Sequence, residues 1–100
     1  MVTIMVEVLV KGLGGVKKLI LQPIKVTVNK DGATVEDVLC RVASKLGDPF
    51  IKNVYSPYSQ ELADGVFILL NGRKVEFIGG LKTKVKNGDV IAVGTVVTGG

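Results

Sequence analysis

The residues whose type and place invite chemistry are the last two of this 100-residue chain, Gly99-Gly100. Read as a free, unbranched terminus, they offer a carboxylate as a reagent. Glycine has no Cβ, so such a tail can enter a narrow cleft and adopt backbone angles closed to other residues. Everything before it then reads as a handle that carries the tail to its partners.

Other reactive side chains form no constellation. Cys40 is the only cysteine and the chain has no histidine, so there is no disulfide framework, no metal set and no imidazole to activate a thiol. A lone cysteine is expected to be buried, as free cysteines usually are. Gly12-x-Gly14 would need a third glycine at position 17 and a following helix to cradle phosphate; position 17 is Lys17, so the segment reads as a turn. Asp31, Glu36, Asp37, Glu61 and Asp64 lack metal-ligand spacing and read as caps and solvated surface. The lysines read as solvated surface, any of which could accept an isopeptide bond. No self-contained active site is expected, and no bound cofactor.

Composition bounds the rest. The length is that of one domain, and 47% hydrophobic residues support a real core. No apolar run approaches the roughly 18 residues of a spanning helix. Met1 to Val6 has no basic flank or small-residue cleavage site and reads as a strand, not a leader. The net charge of +4 comes from dispersed basic residues rather than a block, which suits a solvated surface better than a nucleic-acid patch. An unpaired cysteine fits a reducing cytoplasm. Many Val, Ile and Lys residues hint at a heat-adapted source.

The elements that must position the tail follow from periodicity. Residues 2–10 alternate, with Val2, Ile4, Val6, Val8 and Val10 on one face and Thr3, Met5, Glu7 and Leu9 on the other. The first face must be core; the second is half apolar and is expected to be partly covered by a partner or loop. Gly12-Leu13-Gly14-Gly15 reads as a reversal, followed by a second strand from Val16 to Val28 that Pro23 confines to an edge or kinks. Asn29 to Gly32 is a turn. Thr34 caps a helix with Asp37 at its third position, Val35, Val38, Leu39, Val42 and Leu46 share one face, and Gly47 ends it. Residues 48–65 form a loop with Pro49 and Pro57, long enough to hold a short helical turn. Val66–Leu70 and Arg73–Phe77 flank Asn71-Gly72, a strong hairpin signal. Leu81 to Val85 is irregular or a short strand, and Asn87-Gly88 turns into the last strand, Asp89–Val93.

A helix on one face of a mixed sheet of four to five strands is an α+β arrangement. If the apolar first and last strands pair side by side, they are parallel, and the topology is a β-grasp. The expected organisation is a domain over 1–95 and a tail over 96–100.

At this point the sequence resembles the ubiquitin-like β-grasp modifiers and sulfur carriers. The residues that carry the likeness are Leu69-Leu70-Asn71-Gly72-Arg73, the run Leu81 to Val93 with its Asn87-Gly88-Asp89-Val90-Ile91-Ala92-Val93, and terminal Gly99-Gly100. The pattern is similar to the eukaryotic and archaeal ubiquitin-related modifiers and to the small subunit of molybdopterin synthase. Val96-Val97-Thr98 lacks the arginine that ubiquitin has before its glycines, which points to a carrier-type activating enzyme.

The resemblance implies that a ubiquitin-activating-type partner adenylates the Gly100 carboxylate with ATP. A sulfurtransferase persulfide then yields a thiocarboxylate for tRNA thiolation or molybdenum cofactor synthesis, or a target lysine is acylated. The proteasome is an implied later partner, nucleic acid is met only indirectly, and the protein is monomeric. Met5, Leu9 and Phe77, with Val96 and Val97 of the tail, are the candidate docking surface. A plain β-grasp binding module using its basic surface is the alternative of another class.

Overall fold

A computed structural model of the chain describes residues 5–96. The alternation seen from residue 2 gives strand β1, Val6–Gly12, with Val8 and Val10 fully buried and Glu7 exposed. The first positions of that pattern, 2–4, lie outside the described residues.

The expected second strand is shorter. The chain first makes a 3₁₀ turn, Gly14–Lys18, and only Ile24–Val28 forms strand β2. Two causes combine. The chain doubles back so closely that a Cβ on Gly12 would stand 2.9 Å from the Val16 carbonyl oxygen. Val16 and Ile20 point into the core, and the N–H groups of Leu19 and Ile20 donate to the Val16 oxygen instead of to a ladder. Pro23, lacking a donor, sits just before the strand, and β2 is an edge.

Helix α1, Val35–Leu46, starts as expected. Thr34 Oγ1 accepts the Asp37 N–H, and the Asp37 carboxylate accepts the Thr34 N–H, a reciprocal cap. Val35, Val38, Leu39 and Val42 are completely buried on its inner face. Each such side chain contributes roughly 1.5–3 kcal/mol of burial. Cys40 lies one step off that stripe and is only half-buried, against the expectation of burial. Gly47, at φ +73°, lets α1 turn directly into a second helix, α2, Asp48–Asn53, which opens with Pro49. The long loop therefore contains a helix that seats Phe50, and then a two-stranded hairpin of β3, Tyr55–Ser56, and β4, Glu61–Leu62.

Strand β5, Val66–Leu70, turns through Asn71-Gly72, both at positive φ, into β6, Arg73–Lys74. The second arm was expected to run to Phe77. It stops after two residues because Val75 turns inward, and its carbonyl accepts the N–H groups of Ile78 and Gly79 in a 3₁₀ turn. The last strand, β7, covers Val90–Thr95.

The five-stranded sheet has the order β2-β1-β7-β5-β6. β1 and β7 are parallel neighbours, with Leu9 opposite Val90 and Gly12 opposite Val93, and the other pairs are antiparallel. This is the β-grasp. One sheet face meets α1 through Val8, Val10, Val26, Ile68, Ile91 and Val93. No described helix is long and apolar enough to cross a membrane.

Candidate functional site

The terminal Gly99-Gly100 and Val97 lie outside the described residues. What the structure gives is their root and the surface beside it. β7 reaches Thr95 in register with Val66, and the Val96 N–H then donates to the Gly65 carbonyl oxygen at 2.8 Å. On the other flank the Leu13 N–H donates to the Val93 oxygen at 2.8 Å. Gly94 lies beneath the Phe67 ring: a Cβ there would stand 2.5 Å from the ring's Cζ. Lys74 Nζ lies 5.7 Å from the centroid of the same ring, within cation–π range.

The sheet face away from α1 carries the second element of the site. Directly paired residues share a face, so register assembles one row of Lys25, Leu9 and Val90, and a second of Lys11, Ala92, Leu69 and Lys74. Beyond them Phe67 covers Gly94. Leu9, Val90, Leu69 and Phe67 are half-buried, and Lys11, Lys25 and Lys74 are exposed. A hollow of about 350 Å³ opens here, lined by Lys11, Leu13, Leu69, Asn71, Gly72, Val90 and Ala92. The face is apolar at its centre, with Lys11, Lys25 and Lys74 at its sides and Glu7 next to Leu9 along the same face of β1.

Of the residues proposed from sequence, Leu9 lies on this face. Met5, 57% exposed, immediately precedes β1, and Val96, 55% exposed, is the tail root. Phe77, 78% exposed, sits on the turn beyond β6. Three strand spacings separate β1 from β6, roughly 14 Å, and Phe77 lies on the turn past β6 rather than in the rows that hold Leu9. Sequence reasoning missed Phe67, Leu69, Val90 and Ala92. Their signal is that β5 and β7 are apolar at consecutive positions rather than alternating, which marks strands with something to cover on both faces.

A polar cluster ties the segment between α1 and β5, the insert that holds α2, β3 and β4, to α1. Lys82 Nζ donates to Glu36 Oε1 at 2.7 Å, and the buried Tyr55 hydroxyl donates to Glu36 Oε2 at 3.0 Å. Cys40 Sγ donates to the Tyr55 oxygen at 3.9 Å. The Lys82 hydrogen bond holds the Glu36 carboxyl below the usual glutamate range, against the effect of burial. Burial, then the Glu36 carboxylate, raises the Tyr55 phenol. The cluster fixes Tyr55 against α1. Among the described residues no group of His, Cys, Asp and Glu could hold a metal ion.

This architecture is shared. The solved small archaeal modifier protein 1 of Methanosarcina acetivorans is 27% identical, with a TM-score of 0.73, over 96% of this chain and 98% of that one. CysO in the Amycolatopsis orientalis BexX/CysO complex is similar at 27% identity and a TM-score of 0.65, over 93% and 99%. Urm1 of Trypanosoma brucei has the same fold at 17% identity, TM-score 0.71, over 99% and 100%. No curated protein matches the sequence. A family profile described as the ThiS family matches residues 18–100. With that match over most of its length, the chain belongs to the ThiS family of ubiquitin-like β-grasp carriers and modifiers.

Proposed function

We propose that this protein is a carrier or tag that acts through the carboxylate of Gly100 and supplies no catalytic group of its own. A partner enzyme directs that carboxylate onto the α-phosphorus of ATP, and pyrophosphate leaves. A carboxylate is a poor acyl donor until one oxygen belongs to a good leaving group, and the mixed anhydride with AMP provides it. A sulfurtransferase persulfide then displaces AMP, and a second thiol cleaves the resulting acyl disulfide to leave a thiocarboxylate, the thiol ending as a disulfide. The sulfur goes on to a tRNA base. Alternatively a target lysine amine displaces AMP and forms an isopeptide bond. The work takes place in the cytoplasm, and ATP belongs to the partner.

The observation that supports this reading is the position of the tail root, Thr95 and Val96, at the end of the central strand. The central strand β7 runs to the tail root at Thr95 and also contributes Val90 and Ala92 to the open apolar face. A partner seated on that face holds the tail at high effective concentration in its cleft. The apolar row between Lys11 and Lys74 fits a partner that presents apolar side chains bordered by carboxylates.

Deleting Gly99 and Gly100 tests the reading. The truncated protein should keep its thermal midpoint and lose ATP–pyrophosphate exchange with the adenylating partner, the sulfur-for-oxygen mass shift of the protein recovered from cells, and every reducing-agent-resistant adduct. Retention of all three activities by the truncated chain would overturn it.

A further inference from the structure

Turns built on glycine hold both flanks of the tail root. On the β1 side, Gly14 is at φ +56°, and a Cβ on it would stand 3.5 Å from the Thr95 carbonyl oxygen. A Cβ on Gly15 would stand 3.0 Å from Thr95 Oγ1, closer than most real contacts. On the β5 side, Gly65 at φ +78° presents the oxygen that accepts the Val96 N–H. That turn is itself anchored, because the Val66 N–H donates to the Ala63 oxygen and the Ala63 N–H to the Val54 oxygen. The insert thus braces the root through Val54.

We infer that Leu13–Gly15 and Ala63–Val66 form a collar that fixes the point and direction from which the tail leaves, and that Gly15 and Gly65 are positioning residues for its delivery to the adenylating partner. This rests on the carrier reading above. The physical reason is entropic. Ordering a backbone residue opposes binding, and residues 94–96 are already ordered by the collar. A loosened root would add residues that the partner must order when the tail enters the cleft. The loss falls on binding, so KM for the carrier rises, while kcat holds once the tail is seated.

Full-length Gly65→Ala and Gly15→Ala variants test this beside a control, Gly32→Ala. Gly32 is at φ +72° with nothing near its missing Cβ, so the control carries the backbone strain of Gly65→Ala in a turn remote from the tail, while Gly15→Ala acts through its contact with Thr95. Each is assayed by ATP–pyrophosphate exchange with the adenylating enzyme purified from the source cells, and by amide hydrogen exchange. The collar variants should raise KM roughly tenfold, the effect of about one more residue to order, at unchanged kcat. They should also speed exchange of the Val96 amide while the middle of β7 stays protected. Gly32→Ala should lower the thermal midpoint comparably and move neither readout. If Gly65→Ala fails to fold, Gly15→Ala decides alone. The inference is overturned if the control raises KM as much as the collar variants do, or if Val96 exchange quickens with KM unmoved. Absence of exchange activity with the unaltered protein would instead overturn the carrier reading.

Discussion

The two ends of β7 are held by opposite means. Its entry is bolted by polar side chains. Asn71 Oδ1 accepts the Val90 N–H at 2.9 Å, Asn71 Nδ2 donates to Asp89 Oδ1 at 3.0 Å, and Asp89 Oδ2 accepts the Lys86 N–H at 2.7 Å. Asn87 Oδ1 accepts the Glu7 N–H at 2.9 Å, joining the same corner to β1. Its exit is shaped by missing side chains: Gly94 under Phe67, and Gly14, Gly15 and Gly65 around Thr95 and Val96. The entry is a corner closed by its own polar side chains, and Asn71 and Val90 there also line the hollow. At the exit the chain's own groups come close to the backbone, the Phe67 ring over Gly94 and Thr95 beside Gly15, and glycine is the residue that permits close approach. The contrast turns one strand into a fixed lever with a bare tip.

The largest effect expected is at the exit. Gly94→Val places atoms inside the Phe67 ring and should cost about 3 kcal/mol, as overpacking does, read as a fall in the urea midpoint. Adding Phe67→Leu should recover part of that loss, because the two sites share one volume. Strict additivity of the two changes would remove the steric account of the exit.

At the entry, Asn71→Ala should cost about 2 kcal/mol, since it removes the partner of Asp89 Oδ1 and deprives the Val90 N–H of its acceptor. Asp89→Ala should cost somewhat less. Measured together, the pair should show a coupling energy above roughly 0.5 kcal/mol. Independent losses would mean that the entry is not one network, and the comparison would fail on that side.

The entry was legible in the sequence and the exit was not. Asn71-Gly72 and Asn87-Gly88-Asp89 announce their turns by local chemistry: asparagine tolerates positive φ, and its amide bonds nearby backbone. The Thr34–Asp37 cap and the Val35 to Val42 stripe are local in the same way, and the matching apolar runs in the first and last strands led to their central pairing. The exit depends on who lies across from whom. Phe67 meets Gly94 only through antiparallel register, and the rows of the open face draw on five strands. The break in Val16–Val28 was hidden because Val16 and Ile20 are as apolar as strand residues, while their true partners are core side chains reached through a turn. The short second arm of the hairpin was hidden for a related reason: Val75 is the residue of that arm that goes inward, which ends β6 and carries Phe77 past the sheet.

A third anchor, neither bolt nor bare tip, sharpens the comparison through pH. Tyr55 is raised by burial and by Glu36, and Lys82 is raised by its hydrogen bond to Glu36. A group with a raised folded pKa stabilises fully below its unfolded value and loses that contribution as pH climbs toward the folded one. For Tyr55 the loss begins near pH 10, about the free phenol value. Glu36 is lowered, so its contribution is present above the ordinary glutamate range and is lost as acid brings the pH through its folded value. Tyr55→Phe should cost about 1.5 kcal/mol at neutral pH, the scale of a hydrogen bond to a charged group, and should flatten the alkaline decline. An alkaline limb of unchanged slope in Tyr55→Phe would assign that decline to other groups.

The smallest effect on stability should come from the rim that borders both ends. Lys11 and Lys74 close the row Ala92–Leu69 on either side, and both are exposed. Removing either charge should leave stability within about 0.5 kcal/mol. If the open face seats a partner with an acidic border, Lys11→Ala with Lys74→Ala should slow association and weaken its salt dependence, leaving dissociation nearly unchanged, because rim charges act on encounter rather than on the seated complex. Leu69→Asp in the centre of the row should do the reverse, speeding dissociation. Stopped-flow association at two ionic strengths separates the two behaviours. Equal effects from rim and centre would place the partner elsewhere, and the lever would then have a tip without a face to hold it.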